Sequence, residues 1–296
     1  DRVVEVTSFL SSMLSAVDPS QLGREVTMRE VLDSTAVRAN TLHNRPRLEL
    51  EIRHVIAATY LSLGAFDAAM TEYQQALNAA LREQPDSGRL VALALSQLAT
   101  GYEYNGEYAA ADSAFSDAQR LMERFGYRDR GEEREWLEHR GRILARLGDF
   151  AAAVPLFQRA LALHLEVEPE NDSASAYYYH NLALATSEAG EEQRADTLFR
   201  RAIRLEREAL GEGHPLYASS VGAHTTVLDR LGQKAAVDSG LREVLRIRLK
   251  LLGPEHPDYA WTMFNYADFL VTAGRYTQAA EWARKVLALR GKTLDD

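Results

Sequence analysis

Glycines stand at positions 64, 106, 148, 190, 232 and 274, and each step along that series is 42 residues. A strict period of this size constrains the fold more than any other feature of the chain. A unit of a few tens of residues cannot bury its own apolar face, so it must stack on its neighbours. The glycines sit in turn-like segments, among them Leu63-Gly64-Ala65-Phe66, Asn105-Gly106-Glu107-Tyr108 and Ala273-Gly274-Arg275-Tyr276. Small residues recur seven before the glycine (Ala57, Ala99, Gly141, Ala183, Thr225, Ala267). They recur again five after it (Ala69, Ala111, Ala153, Ala195, Val237, Ala279). Large ones recur nine after it, at Tyr73, Phe115, Phe157, Phe199 and Leu241, with Ala283 as the exception. Small residues at these phases let two antiparallel helices approach, and the aromatics fill the space beside them. Apolar residues recur at helical spacing on both sides of a glycine that can end a helix. The unit is therefore helix, short turn, helix and a longer connection, and no strand is needed.

The pattern of small residue, aromatic and glycine resembles the tetratricopeptide repeat over about residues 50 to 293. The ordinary repeat has about 34 residues. The longer period, with Gly211-Glu-Gly-His-Pro-Leu-Tyr-Ala218, Gly253-Pro-Glu-His-Pro-Asp-Tyr-Ala260, Asn181-Leu-Ala and Asn265-Tyr-Ala, is similar to the kinesin-light-chain type. The resemblance implies an all-α, right-handed superhelix, with residues 50–296 as six repeat units and residues 1–49 as an N-terminal helical linker or cap. Repeat five departs most, with Thr225, Lys234, Val237 and Leu241.

Residues 1–49 lie outside the register. They read as a helix over about Arg2 to Ala16, a loop, and a second helix after Val26, with Thr27 and Glu30 spaced as a capping box. Val3, Val6, Leu10, Met13 and Val17 give the first helix an apolar stripe, which either caps the first repeat or pairs with a second chain as a homodimer. The chain opens inside this stripe without a methionine, so it reads as part of a longer protein. Phe9-Leu10, Val17-Asp18-Pro19, Gly23-Arg24-Glu25-Val26-Thr27 and Arg29-Glu30-Val31-Leu32-Asp33 resemble the region after the kinase and membrane-spanning segment of bacterial receptor-like serine/threonine kinases. That resemblance places the chain as a kinase-associated region, tethered to a membrane only through upstream sequence. It transfers no catalytic residue.

Composition narrows the function. Forty-three Asp and Glu against 34 Lys and Arg give a net charge of −9, which opposes nucleic-acid binding. Cysteine is absent, so thiolate metal sites and cysteine nucleophiles are excluded. Phosphate-loop, dinucleotide, nucleophile-elbow and zincin motifs are all missing, and no cofactor or metal is expected. His214 and His256 share a phase before proline and read as helix-start geometry. Glu132-Glu133 and Glu191-Glu192 read as solvated helix starts.

In the repeat family the inward face of the first helix carries the phases thirteen, ten, nine, six, three and two before the glycine. The phase nine before delivers a partial polar ladder of Gln97, His139, Asn181 and Asn265, suited to the backbone of an extended peptide. Tyr104, Glu138, Arg142 and Arg146, followed by Tyr177 and His180, set aromatics beside two arginines. That combination suits an acidic or aromatic segment, although Arg142 can equally pair with Glu138. Trp261, Phe264 and Asp268 form a second inward set. The expected function is a non-catalytic protein- or peptide-interaction module, the partner-binding region of a bacterial signalling kinase. The alternative is a peptide sensor whose superhelix closes on a short ligand.

Overall fold

The computed structural model describes residues 27–83, 87–126, 130–168 and 173–293, and among them every regular element is helical. Helix α1 spans Met28–Ala39 and runs into a 3-10 turn, Asn40–Leu42. Then follow α2 (Pro46–Ser62), α3 (Phe66–Arg82), α4 (Ser87–Tyr104), α5 (Tyr108–Phe125) and α6 (Arg130–Arg146). After the turn at Gly148 come α7 (Phe150–Leu165), α8 (Ser173–Glu188), α9 (Glu192–Leu210), α10 (Pro215–Arg230), α11 (Lys234–Leu252), α12 (Pro257–Thr272) and α13 (Tyr276–Thr293). The chain divides at that turn into two compact units, one ending at Gly148 and the other beginning at Asp149.

Every periodic glycine falls between the two helices of its repeat, with φ from +70° to +85°, the left-handed region that a residue with a Cβ enters only under strain. The amide after the glycine closes the turn. Ala65 N donates to Tyr60 O at 2.9 Å, and Glu107, Glu191, Gln233 and Arg275 repeat that bond to Tyr102, Thr186, Leu228 and Leu270. Together with bonds such as Gly64 N to Leu61 O, at 3.0 Å, this is the Schellman arrangement, which satisfies the last carbonyls of the first helix and reverses the chain.

In unit one, α2 packs on α3 and α4 on α5, with α3 against α4 and α5 against α6. Ala57, Ala69, Ala99 and Ala111 are fully buried, and Tyr73 and Phe115 are nearly so. Helix α1 closes the exposed side of the first repeat. Its capping box forms, with Glu30 N donating to Thr27 Oγ1 and Thr27 N to Glu30 Oε2. Tyr60 Oη donates to Asp33 at 2.6 Å, and Leu32, Ala39 and Leu42 join the core around Ile52, Ile56 and Tyr60. Arg53, 1 % exposed, donates to Glu49, Glu72 and Asn40, and Arg82 also bonds Glu49. Burying so many charges is tolerable only because each one is paired. The helix expected over Arg2–Ala16, with its capping or dimerising stripe, lies outside the described residues.

In unit two, α7 packs on α8, and the hairpins α8/α9, α10/α11 and α12/α13 follow in sequence. Ala153, Ala183, Ala195 and Phe199 are fully buried. One departure of repeat five is accommodated on the facing helix. Thr225 replaces the usual alanine at the crossing, and opposite it stands Gly240. A Cβ added at Gly240 would lie 2.7 Å from Thr225 Cγ2. The missing Cβ on α11 thus accommodates the extra methyl on α10.

Gly240→Ala, though favourable for helix propensity, is expected to destabilise the protein by about 1–3 kcal/mol through overpacking. Thr225→Ala combined with Gly240→Ala should recover most of that loss. Thermal melts of the three variants check both outcomes.

Candidate functional site

In unit one the inward phases of the first helices belong to α2, α4 and α6, and the ten-before and nine-before positions deliver His54, Gln97, Glu138 and His139. A cavity of about 460 Å³ opens on this face. Its walls are Tyr73, Phe115 and Trp136, its sides include His54, Gln97 and His139, and Glu132 and Glu135 also line it. Trp136 is fixed by its indole N–H, which donates to Phe115 O at 3.1 Å, and the Phe115 ring stacks on His139. Gln97 Oε1 and His54 Nδ1 are buried and have no hydrogen-bond partner. Burial holds the His54 imidazole below the usual histidine range.

Beside the cavity, Arg142 grips Glu103 with two bonds, Nε to Oε1 at 2.9 Å and Nη2 to Oε2 at 3.1 Å, and donates Nη1 to Glu138 Oε1 at 3.0 Å. His139 Nδ1 lies 2.8 Å from Glu103 Oε2. Burial pushes the Glu103 carboxyl up, but hydrogen bonds from His139 and Arg142 and the guanidinium charge outweigh it, so the group stays ionised to lower pH than usual. The expected pairing of Arg142 with Glu138 is present. The second carboxylate, Glu103, stands three before Gly106 and is itself at an inward phase. Arg142 therefore serves two carboxylates of its own chain. Arg146 stands exposed at the end of α6, apart from this cluster, and Tyr104 projects from the end of α4, 60 % exposed.

In unit two, Tyr177, His180 and Asn181 lie on α8 and Asn265 on α12. Within the tyrosine run, Tyr178 is core, with its ring against His164. Tyr177 is half-buried and meets Tyr178 edge-on, while Arg201 lies over the ring of Tyr179. His180 Nδ1 lies 2.7 Å from Ser220 Oγ, which donates to Glu206 Oε1 at 2.8 Å. Burial lowers His180 to about 4 and raises Glu206 to about 7, against a weaker lowering from Ser220. Asn181 Nδ2 is buried without a partner. Trp261 and Phe264 stack with centroids 5.7 Å apart while remaining 56 % and 48 % exposed.

His214 and His256 are helix N-caps. Nδ1 of each accepts from the backbone amide two residues on, Leu216 and Asp258. Glu132 and Glu133 occupy the first turn of α6; Glu191 stands at the N-cap position of α9 without a side-chain capping bond, and Glu192 lies in its first turn. Among the described residues no group of His, Asp or Glu is arranged to hold a metal ion, and no helix is long and apolar enough to cross a membrane.

Arg142→Ala leaves Glu103 and Glu138 without their shared cation and is expected to cost about 1–2 kcal/mol. Denaturant melts at neutral pH check this. The raised Glu206 pKa stabilises the fold fully below the unfolded value near 4.5, and that contribution is lost as pH rises through about 7. Glu206→Gln should therefore match the parent near pH 4 and exceed its stability by about 1–3 kcal/mol above pH 8, measured as unfolding free energy against pH.

The tetratricopeptide repeat models match residues 50–82, 90–166, 132–208 and 239–292. No curated protein matches the chain by sequence. Among solved structures, the apo form of RapI aligns with a TM-score of 0.70 at 16 % identity, over 97 % of this chain and 77 % of that one. BtubC (BKLC) from P. vanneervenii aligns at 0.62 with 18 % identity, over 77 % of this chain and 92 % of its own. PilW, a type IV pilus biogenesis factor, also aligns at 0.62, with 17 % identity over 81 % and 92 %. At these identities the likeness is one of fold, and it agrees with the helix pairs, the turn glycines and the buried small residues at the crossings. The chain belongs to the tetratricopeptide repeat family.

Proposed function

We propose that the protein is a non-catalytic module that binds protein or peptide partners on the inward phases of its first helices, and that it is the partner-binding region of a bacterial signalling kinase. One observation carries the binding reading. Tyr104, Trp261 and Phe264, residue types that a helical repeat ordinarily buries, are about half exposed or more at inward phases. Half-exposed aromatics on a rigid frame supply contact area at little entropic cost when a partner covers them. The kinase association is supported by the resemblance of residues 9–33, and the inward position of these aromatics is supported by the repeat phase.

The test compares the parent protein with the variant Tyr104→Ala, Trp261→Ala, Phe264→Ala as immobilised baits in extract of the source organism, reading retained proteins by quantitative mass spectrometry. The variant is expected to fold with stability within about 1 kcal/mol of the parent, because these side chains contribute little to the core. It should lose the parent's specific binders at least tenfold. Equal retention by both baits would place the binding surface elsewhere.

A further inference from the structure

The unit-one cavity has a chemistry opposite to the one that the arginines suggest in the sequence. Arg142 is committed to Glu103 and Glu138. Arg140 lies over the Trp136 ring and bonds Asp112 and Gln119. Among the described residues no lysine or arginine lines the cavity, whereas Glu132 and Glu135 do. Glu132 is shared with exposed Arg89 at 3.3 Å, and Glu135 makes no ion pair among the described residues. The walls, Tyr73, Phe115 and Trp136, are aromatic though largely buried, with Leu93 and Met122 beside them. Gln97 Oε1 can only accept a hydrogen bond, and it has no donor. His54 is uncharged at neutral pH and adds no positive charge of its own. The volume of about 460 Å³ falls in the range of ligand pockets.

We propose that this cavity receives a basic side chain, a lysine ammonium or an arginine guanidinium presented by an extended partner segment. The inference rests on the binding reading above and adds the partner's chemistry. The aliphatic stem of such a side chain covers Leu93 and Met122, its cation faces the aromatic rings, and Glu132 and Glu135 supply the counter-charge. The unmet acceptor of Gln97 gains a donor. A carboxylate in the same place would meet Glu132 and Glu135, and among the described residues no lysine or arginine lines the cavity to receive it.

The experiment selects binders from a phage-displayed library of random twelve-residue peptides on the intact chain, then measures synthetic copies by fluorescence anisotropy. Selected peptides are expected to share a lysine or arginine at one position. Replacing that residue by norleucine should weaken binding at least tenfold, and so should Glu132→Gln with Glu135→Gln in the protein. The two changes together should cost little more than either alone, because both remove the same contact. Circular dichroism of the glutamine variant confirms that α6 is intact. Peptides that lose affinity with Tyr104→Ala or Gln97→Ala but tolerate norleucine, or that select an acidic residue instead, would overturn the basic-side-chain inference while leaving the binding face in place. Failure to select any peptide, or selection of peptides indifferent to every one of these substitutions, would overturn the binding reading and this inference with it.

Discussion

Everything else in the molecule depends on how closely the two helices of a repeat approach. At the crossings of repeats one, two and four the facing residues are alanines with no exposed surface, Ala57 with Ala69, Ala99 with Ala111 and Ala183 with Ala195. With no side chain beyond Cβ between them, the backbones come near enough for Tyr73, Phe115 and Phe199 to pack beside them almost wholly buried. The requirement is one of volume rather than identity. Repeat five meets it with Thr225 and Gly240, moving the small residue from one helix to the other. Gly101 works in the same way between repeats, since a Cβ there would come within 2.8 Å of Met70 and Tyr73.

Close packing of this kind leaves charged side chains either outside the core or paired within it. Arg53 bridges Glu49, Glu72 and Asn40 and so locks the end of α1, α2 and α3 into one arrangement. Arg142 does the same for α4 and α6 through Glu103 and Glu138. Glu206 is the contrasting case. With one oxygen bonded by Ser220 and the other buried without a partner, its charge is costly and its carboxyl holds a proton to about pH 7. These three clusters show when an ion in a solenoid core is tolerated, which is when the neighbouring helix brings its counter-charge.

The division of labour between the helices follows from the same geometry. Large residues nine after the turn glycine, such as Phe115 on α5 and Phe199 on α9, are spent on the core, whereas three aromatics at phases before the glycine are left exposed. Tyr104, Trp261 and Phe264 contribute little to packing and are available for contact. Around Trp136 the aromatics of the core border a cavity instead of closing over it, and among the described residues its charged lining is Glu132 and Glu135, with no lysine or arginine.

The repeat, its helix pairs, its turn glycines and its buried phases were legible in the sequence, because volume constraints at helix crossings recur with the period and each leaves a residue-level mark. The helix starts at His214 and His256 and the capping box at Thr27 were legible as well, since capping is decided within a few residues. What only the tertiary structure decided was which side chains meet across repeats. The sequence placed Arg142 and Glu138 four apart on one helix, but the second carboxylate, Glu103, arrives from a helix 39 residues earlier. That distance is close to one period, and a side chain one repeat away is a neighbour only after stacking. Gly240 opposite Thr225, Glu206 behind Ser220, and the cavity around Trp136 share this origin. Local propensity is written in neighbouring residues, whereas charge compensation and empty space are properties of surfaces that exist only once the helices are packed.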